Sequence, residues 1–140
     1  LSLMENQKLV AEGAGAVPVA AALFHKLPIE GKKVVCLISG GNIDVNILNR
    51  VITRGLVMSG RKANLTIALE DKPGQLERVA AIVSRCGSNV VSVLHDGSDP
   101  NMPISSCFLK LTLETRDNAQ IEQIRQELTK EGFQLVAERV

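Results

Sequence analysis

The sequence predicts an α+β protein, and three observations predict it. Alternating apolar and polar residues recur with period two at 63–70 and 107–113. Between and after them run apolar stripes spaced i, i+3, i+4, i+7. The net charge changes sign partway along: residues 1–63 carry eight Lys/Arg against four Asp/Glu, residues 64–140 eight against eleven. A sign change of this kind marks two units.

In chain order, Leu3–Val10 reads as a short helix and Glu12–Ala16 as a turn. Pro18 suits a helix's first turn, where a missing N–H costs little, and Ala20–His25 continue that helix. Pro28 and Gly31 make a loop. Lys33–Ile38 is a continuously apolar run of the kind buried on both faces of a parallel sheet. Ser39-Gly40-Gly41-Asn42 follows as a glycine loop, with Asn42 placed to cap the next helix. That helix covers Ile43–Met58, its apolar face marked by Val45, Leu48, Val51 and Ile52. Ser59–Lys62 reads as a linker.

The second half starts with a strand over Ala63–Glu70, Leu65, Ile67 and Leu69 inward, Asn64, Thr66 and Glu70 outward. Asp71-Lys72-Pro73-Gly74 punctuates it. Leu76, Val79, Ala80 and Val83 stripe a helix that Gly87 stops. Asn89–His95 is a second strand, Gly97–Pro103 a loop, and Cys107–Leu113 a third strand. Asp117 is an N-cap answered by Gln120, and Ile121, Ile124 and Leu128 stripe the helix behind it. Gly132 ends that helix, and Phe133, Leu135 and Ala137 alternate in a last strand. Residues 61–140 thus read βαββαβ, the ferredoxin-like arrangement. Residues 1–60 read as a short α/β piece with one strand. A piece this small buries itself poorly, so it is expected to be the end of a larger α/β domain.

Composition excludes several functions. Aromatics are 2% of the chain, with no Trp or Tyr, so stacking surfaces for single-stranded nucleic acid are nearly absent. The net charge of +1 leaves no electrostatic footprint for DNA or an acidic membrane. The longest apolar run, Ala16–Phe24, is too short to span a bilayer. Three scattered cysteines, Cys36, Cys86 and Cys107, form neither a disulfide framework nor a zinc spacing. They read as buried thiols in a reducing cytoplasm. His25 and His95 have no metal-ligand spacing, so no metal site is expected. His95 and Asp96 end a strand beside a loop, where a minor role toward a ligand is open.

Residues 63–140 resemble an ACT domain, a small-molecule sensing module. The resemblance rests on Leu69-Glu70-Asp71-Lys72-Pro73-Gly74-Gln75-Leu76 between first strand and first helix, and on Gly87-Ser88-Asn89-Val90 entering the second strand. Residues 9–60 resemble the end of a fold-type II pyridoxal phosphate (PLP) domain, through Val10–Ala16 (VAEGAGA) and Val34–Asp44 (VVCLISGGNID). In this order the two resemble the C-terminal portion of the threonine dehydratase (threonine ammonia-lyase) family. The resemblance implies domains of 1–60, the incomplete end of the catalytic domain, and 61–140, an ACT regulatory domain.

It also implies roles. Ser39 would address the pyridine nitrogen of PLP, Gly40 and Gly41 would let backbone approach the ring, and Asn42 would orient the loop. A neutral hydroxyl leaves that ring less electrophilic than a carboxylate would, which favours prompt β-elimination. Glu12 lines that cofactor or supports the sheet. On spacing alone, SGGN is equally a tight strand–helix turn. The parent reaction would be threonine to 2-oxobutanoate and ammonia. The Schiff-base lysine and phosphate-gripping loop would lie outside these residues, so no catalytic residue is assigned here. The chain alone is expected to be inactive and to bind no PLP.

By the same resemblance, Asp71, Lys72, Pro73, Gly74, Gln75 and Leu76 would hold an effector's anionic group at a helix N-terminus, with Asn89 contributing from a neighbouring subunit. Isoleucine or valine is the implied effector, with a nucleotide as a further option. Homo-oligomers formed through ACT domains are the implied assembly. A different class of reading is a stand-alone amino-acid-binding regulator without catalysis. It has no use for EGAGA and SGGNID.

Overall fold

The computed structural model describes residues 1–100 and 102–136. Ala137, expected in the last strand, lies outside the described residues. The chain divides into two compact units, Leu1–Gly55 and Leu56–Val140.

The first unit holds a single wide turn at Leu3–Gln7 and helix α1 at Gly13–Leu23, and it begins helix α2, Val45–Met58. Six expectations are corrected here. Glu12–Ala16 is no turn. Glu12 is extended (φ −69°, ψ 167°), and its carbonyl accepts the first helical bond from Ala16 N at 3.0 Å. Pro18 therefore sits sixth in α1 rather than in its first turn, and withholds the N–H that would have met Ala14. The helix stops at Leu23, and His25 turns away at φ 52°.

Lys33–Ile38 forms no strand: Val35 is 95% exposed and Leu37 75%. A doubly buried strand needs ladder partners on both sides, and among the described residues the first unit contains no other strand. Cys36 is accordingly half-buried rather than enclosed. Finally, Asp44 and not Asn42 caps α2. Its Oδ1 accepts from Asn46 N at 2.8 Å and Ile47 N at 3.2 Å, because the helix starts at Val45, one residue beyond Asp44.

The second unit is built as β1 (Lys62–Glu70), α3 (Gln75–Arg85), β2 (Asn89–Asp96), β3 (Ser106–Glu114), α4 (Asn118–Lys130) and β4 (Gln134–Val136). Its antiparallel sheet has the order β2-β3-β1-β4, the ferredoxin-like topology. Of Ser59–Lys62, expected as a linker, Ser59–Arg61 form a structured turn and Lys62 already belongs to β1. Gly60 N and Arg61 N bond back to Val57 and Leu56 at 3.0 and 2.8 Å, and Thr115 Oγ1 donates to Gly60 O at 2.7 Å.

The core lies on one face of the sheet. Ile67 in β1 pairs Leu109 in β3 and Leu135 in β4, and it clusters with the stripe residues Val79, Val83, Ile124 and Leu128 and with Ile82, whereas Leu76 of the expected stripe is exposed. Gly87 and Gly132 close α3 and α4 alike, at φ 72° and 86°. The N–H of Ser88 reaches Val83 O at 3.2 Å, that of Phe133 reaches Leu128 O at 3.0 Å.

Buried Gln120 couples the two helices. Its Oε1 accepts from Arg116 N and its Nε2 donates to Cys86 O, both at 2.7 Å. Its own N–H donates to the Asp117 cap at 2.8 Å.

On the outer face, Asp96 accepts from Lys110 Nζ at 2.8 Å, and from Ser98 Oγ and N. The Lys110 bond first, then Ser98, hold its carboxyl well below the usual carboxylate range. A depressed carboxylate stabilises the fold above its unfolded pKa and loses that contribution as pH falls through the folded value. Asp96→Asn should therefore lower the urea midpoint at neutral pH. The gap to wild type should begin to narrow below about pH 4, narrow further as pH falls toward the folded value, and shrink in about 1 M salt. A gap unchanged at acid pH would show that the charge is not its source.

Candidate functional site

In the first unit the two signature segments meet. The N–H of Glu12 donates to the carbonyl of Gly40 at 3.1 Å. A Cβ on Gly15 would lie 2.6 Å from Gly40 O, one on Gly41 3.0 Å from Val10 O, and one on Gly40 would strike the Glu12 carboxylate. The glycines thus let Ser39–Asn42 lie against Val10–Gly15, backbone to backbone. Gly41 O also accepts from Ile43 N at 2.9 Å, turning the chain toward α2. The side chains of Ser39 and Asn42 are exposed. Glu12 acts here as a support for the loop.

In the second unit, Asp71–Gly74 links β1 to α3. Asp71 N donates to Ser105 O at 2.8 Å, which ties the turn to the residue just before β3, and Lys72 N donates to Glu70 O at 2.9 Å within the turn. Lys72 pairs with Glu70, and this hydrogen bond lowers the Glu70 pKa. Gly74 stands before α3 at φ 89° with open space around it, and its carbonyl accepts from Arg78 N at 3.1 Å.

Two clefts flank this turn. One of about 430 Å³ is lined by Lys72, Pro73, Gly74, Gln75, Arg78 and Arg85. The other, of about 500 Å³, is lined by Leu69, Gln75, Arg78, Met102, Glu131 and Phe133 among others. Gln75, Arg78 and Glu131 line both. The Gln75 Oε1 atom is buried and has no hydrogen-bond partner. The Arg78 guanidinium lies 5.0 Å over the Phe133 ring and 3.9 Å from Glu131, which Arg85 also grips at 3.1 Å.

Asn89 is not brought to this turn within one chain. It pairs Glu114 at the far end of β2, and its Nδ2 donates to Glu114 Oε2 at 3.2 Å. The β2 strand end that does reach the turn carries His95, whose Nε2 is 3.4 Å from Asp71 Oδ1. A bulge at Val91 is responsible. Val90 pairs Leu113 and Ser92 pairs Thr112, so the alternation shifts by one, and His95 falls opposite inward-facing Leu109. Without that shift His95 would point to the outer face.

Cys107, buried in β3, completes a convergence with Asp71 and His95. Burial first, and then the Asp71 charge, push its thiol pKa up. His95, left open in the sequence for a minor role toward a ligand, does reach this turn, whereas Asp96 faces Lys110 and Ser98 instead. Arg78, Cys107 and Glu131 are not singled out by the sequence as members of this site, and of these three only Arg78, one turn after the Asp-Lys-Pro-Gly element, has a local signal for it.

No protein-family model matches the chain. Over 135 residues, 96% of its length, it is 47% identical to an L-threonine ammonia-lyase of Thermotoga maritima. Over 133 residues, 95% of its length, it is 38% identical to an L-threonine ammonia-lyase of Geobacter sulfurreducens. It spans 33% of each of these relatives. The crystal structure of the ACT domain from the GTP pyrophosphokinase of Chlorobium tepidum aligns with 54% of the chain and 96% of its own length, at TM-score 0.41 and 15% identity. Among the described residues no helix is long and apolar enough to cross a membrane. Over nearly its whole length, the chain corresponds to the C-terminal region of L-threonine ammonia-lyases.

Proposed function

We propose that this chain is the regulatory, effector-binding part of a PLP-dependent threonine ammonia-lyase, and that its second unit is an ACT domain that binds an amino acid. The observation that carries the reading is the pair of clefts at the Asp71–Leu76 turn. A free amino acid brings a carboxylate, an ammonium and a side chain. Arg78 offers a cation, Glu131 an anion, Gln75 an unused buried acceptor, and Leu69, Met102 and Phe133 an apolar wall. Their volumes fall in the range of small-molecule sites. Isoleucine or valine fits the apolar wall better than a polar amino acid does.

The edge strand β2 supports assembly through this unit, since Val91, Val93 and Leu94 are exposed on it. An adjoining copy would bring its own Asn89 as a further ligand contact.

The first unit would form one wall of the PLP site. Ser39 is exposed at the head of a loop held by Glu12 and Gly15, which suits a hydroxyl meant for the ring nitrogen. When bound, PLP supplies the electron sink for loss of the substrate's β-hydroxyl. The exposed Val35 and Leu37 suit a surface covered by the rest of a catalytic domain.

Calorimetric titration of the chain with isoleucine, valine, threonine and AMP tests the effector reading. Isoleucine or valine should give saturable heat. Arg78→Leu should weaken binding roughly tenfold to a hundredfold, the range of a lost charge-assisted hydrogen bond. An absence of heat with every amino acid, or binding indifferent to Arg78→Leu, rejects it.

A further inference from the structure

We infer that Asp71, His95 and Cys107 form a binding site for a zinc-like divalent cation at the head of the Asp-Lys-Pro-Gly turn. The three side chains come from three separate elements: the β1–α3 turn, the end of β2 and the start of β3. One ligand atom from each, a carboxylate oxygen, an imidazole nitrogen and the thiol sulfur, lies within 4.8 Å of the others.

The spacing fits tetrahedral coordination. With bonds of ~2.1 Å to nitrogen and oxygen, the edge of a tetrahedron is ~3.4 Å. The His95 Nε2 to Asp71 Oδ1 separation is 3.4 Å. The sulfur lies within 4.8 Å of both, so a tetrahedral edge of ~3.6 Å to it asks for a closer approach of at most about 1 Å. The donor set selects the metal class. Thiolate with imidazole favours zinc and its neighbours, whereas magnesium and calcium prefer oxygen-only shells. Three protein ligands leave a fourth position to water or to an incoming group.

The surroundings hold the ligands in place. Asp71 is tied through its N–H to Ser105 O at 2.8 Å. His95 is turned inward by the Val91 bulge. Cys107 is fixed in the central ladder opposite Leu69. Asp71 and His95 are exposed, which gives a cation an entry path, and buried Cys107 closes the inner side. Ligand spacing along the chain does not reveal such a site, because its members lie 24 and 12 residues apart in different elements. The site is independent of whether an amino acid binds the neighbouring clefts.

Cobalt(II), which reports thiolate ligation by colour, tests the proposal on the reduced 140-residue chain. One equivalent should produce a thiolate-to-cobalt charge-transfer band and the strong visible bands of four-coordinate cobalt, both displaced by zinc. His95→Ala and Asp71→Ala should each weaken cobalt binding roughly tenfold or more. Cys107→Ser should remove the charge-transfer band, and Cys36→Ser should keep it. Because Cys107 is a core residue, the exposed His95→Ala variant decides the matter if Cys107→Ser fails to fold. No charge-transfer band in the wild type, a band that follows Cys36 instead, or affinity unchanged in His95→Ala overturns the proposal.

Discussion

Ile67→Ala is expected to destabilise the second unit by about 4 kcal/mol. Ile67 is fully buried in the middle of β1, and both flanking strands are hydrogen-bonded to it, at Leu109 and Leu135. Neighbouring backbone therefore cannot close over the lost methylene groups. The cavity term adds to the transfer term, which puts this site in the upper half of the usual range. Against a typical total of about 5–15 kcal/mol, this is a large fraction. Urea unfolding followed by circular dichroism should show a lower midpoint with the slope unchanged. Outward-facing Thr66→Ala should stay within about 0.5 kcal/mol. An Ile67→Ala loss under about 1 kcal/mol would mean that this face is not the core.

Gly15→Ala should loosen the loop at Ser39–Asn42. Two effects compete. Alanine gains about 1 kcal/mol over glycine in a helix. Its methyl, however, would stand 2.6 Å from Gly40 O and 3.0 Å from Gly40 N. Both obstacles are backbone, so neither rotates away, and overpacking of this kind costs about 1–3 kcal/mol. The clash should prevail. The Glu12 amide, which donates to Gly40 O, reports it directly by hydrogen exchange. Its exchange should quicken in Gly15→Ala. Gly40→Ala should have the smaller effect, because the added methyl there meets only the movable Glu12 carboxylate. Unchanged Glu12 protection in Gly15→Ala would show that the two segments are not held together by this contact.

Most of the second unit was legible because its burial partners lie within the same stretch of chain. Alternation at Leu65, Ile67 and Leu69 and the stripe through Val79 and Val83 both point to one core. The Asp117–Gln120 cap was readable for the same local reason. Lys33–Ile38 misled because an apolar run reports burial, not the strands that must pair with it. Asn42 and Asp44 are both good capping types, and which one caps depends on where the helix begins. The contact of Gly15 with Gly40 has no local signature. Nor does the approach of His95 to Asp71. In Asn89–Asp96 the residues Val90, Val91, Val93 and Leu94 are all apolar, so sequence leaves the inward set undecided until the bulge selects it.

The first unit carries a thermodynamic consequence. Of its residues only Gly15 is fully buried, and Leu3, Val19, Ile43, Leu48 and Ile52 are half-buried, so its apolar side chains lose less water on folding than those of an ordinary core. The heat-capacity increment of unfolding tracks newly wetted apolar area, at about 12–15 cal/mol/K per residue of an ordinary domain. Here the larger share arises from residues 56 onward, where the buried hydrophobic core lies. The stability curve is therefore flatter than the about 1.9 kcal/mol/K that 140 compactly buried residues would give, with about 1.1 of it from the second unit. In its response to temperature this protein behaves as a smaller one.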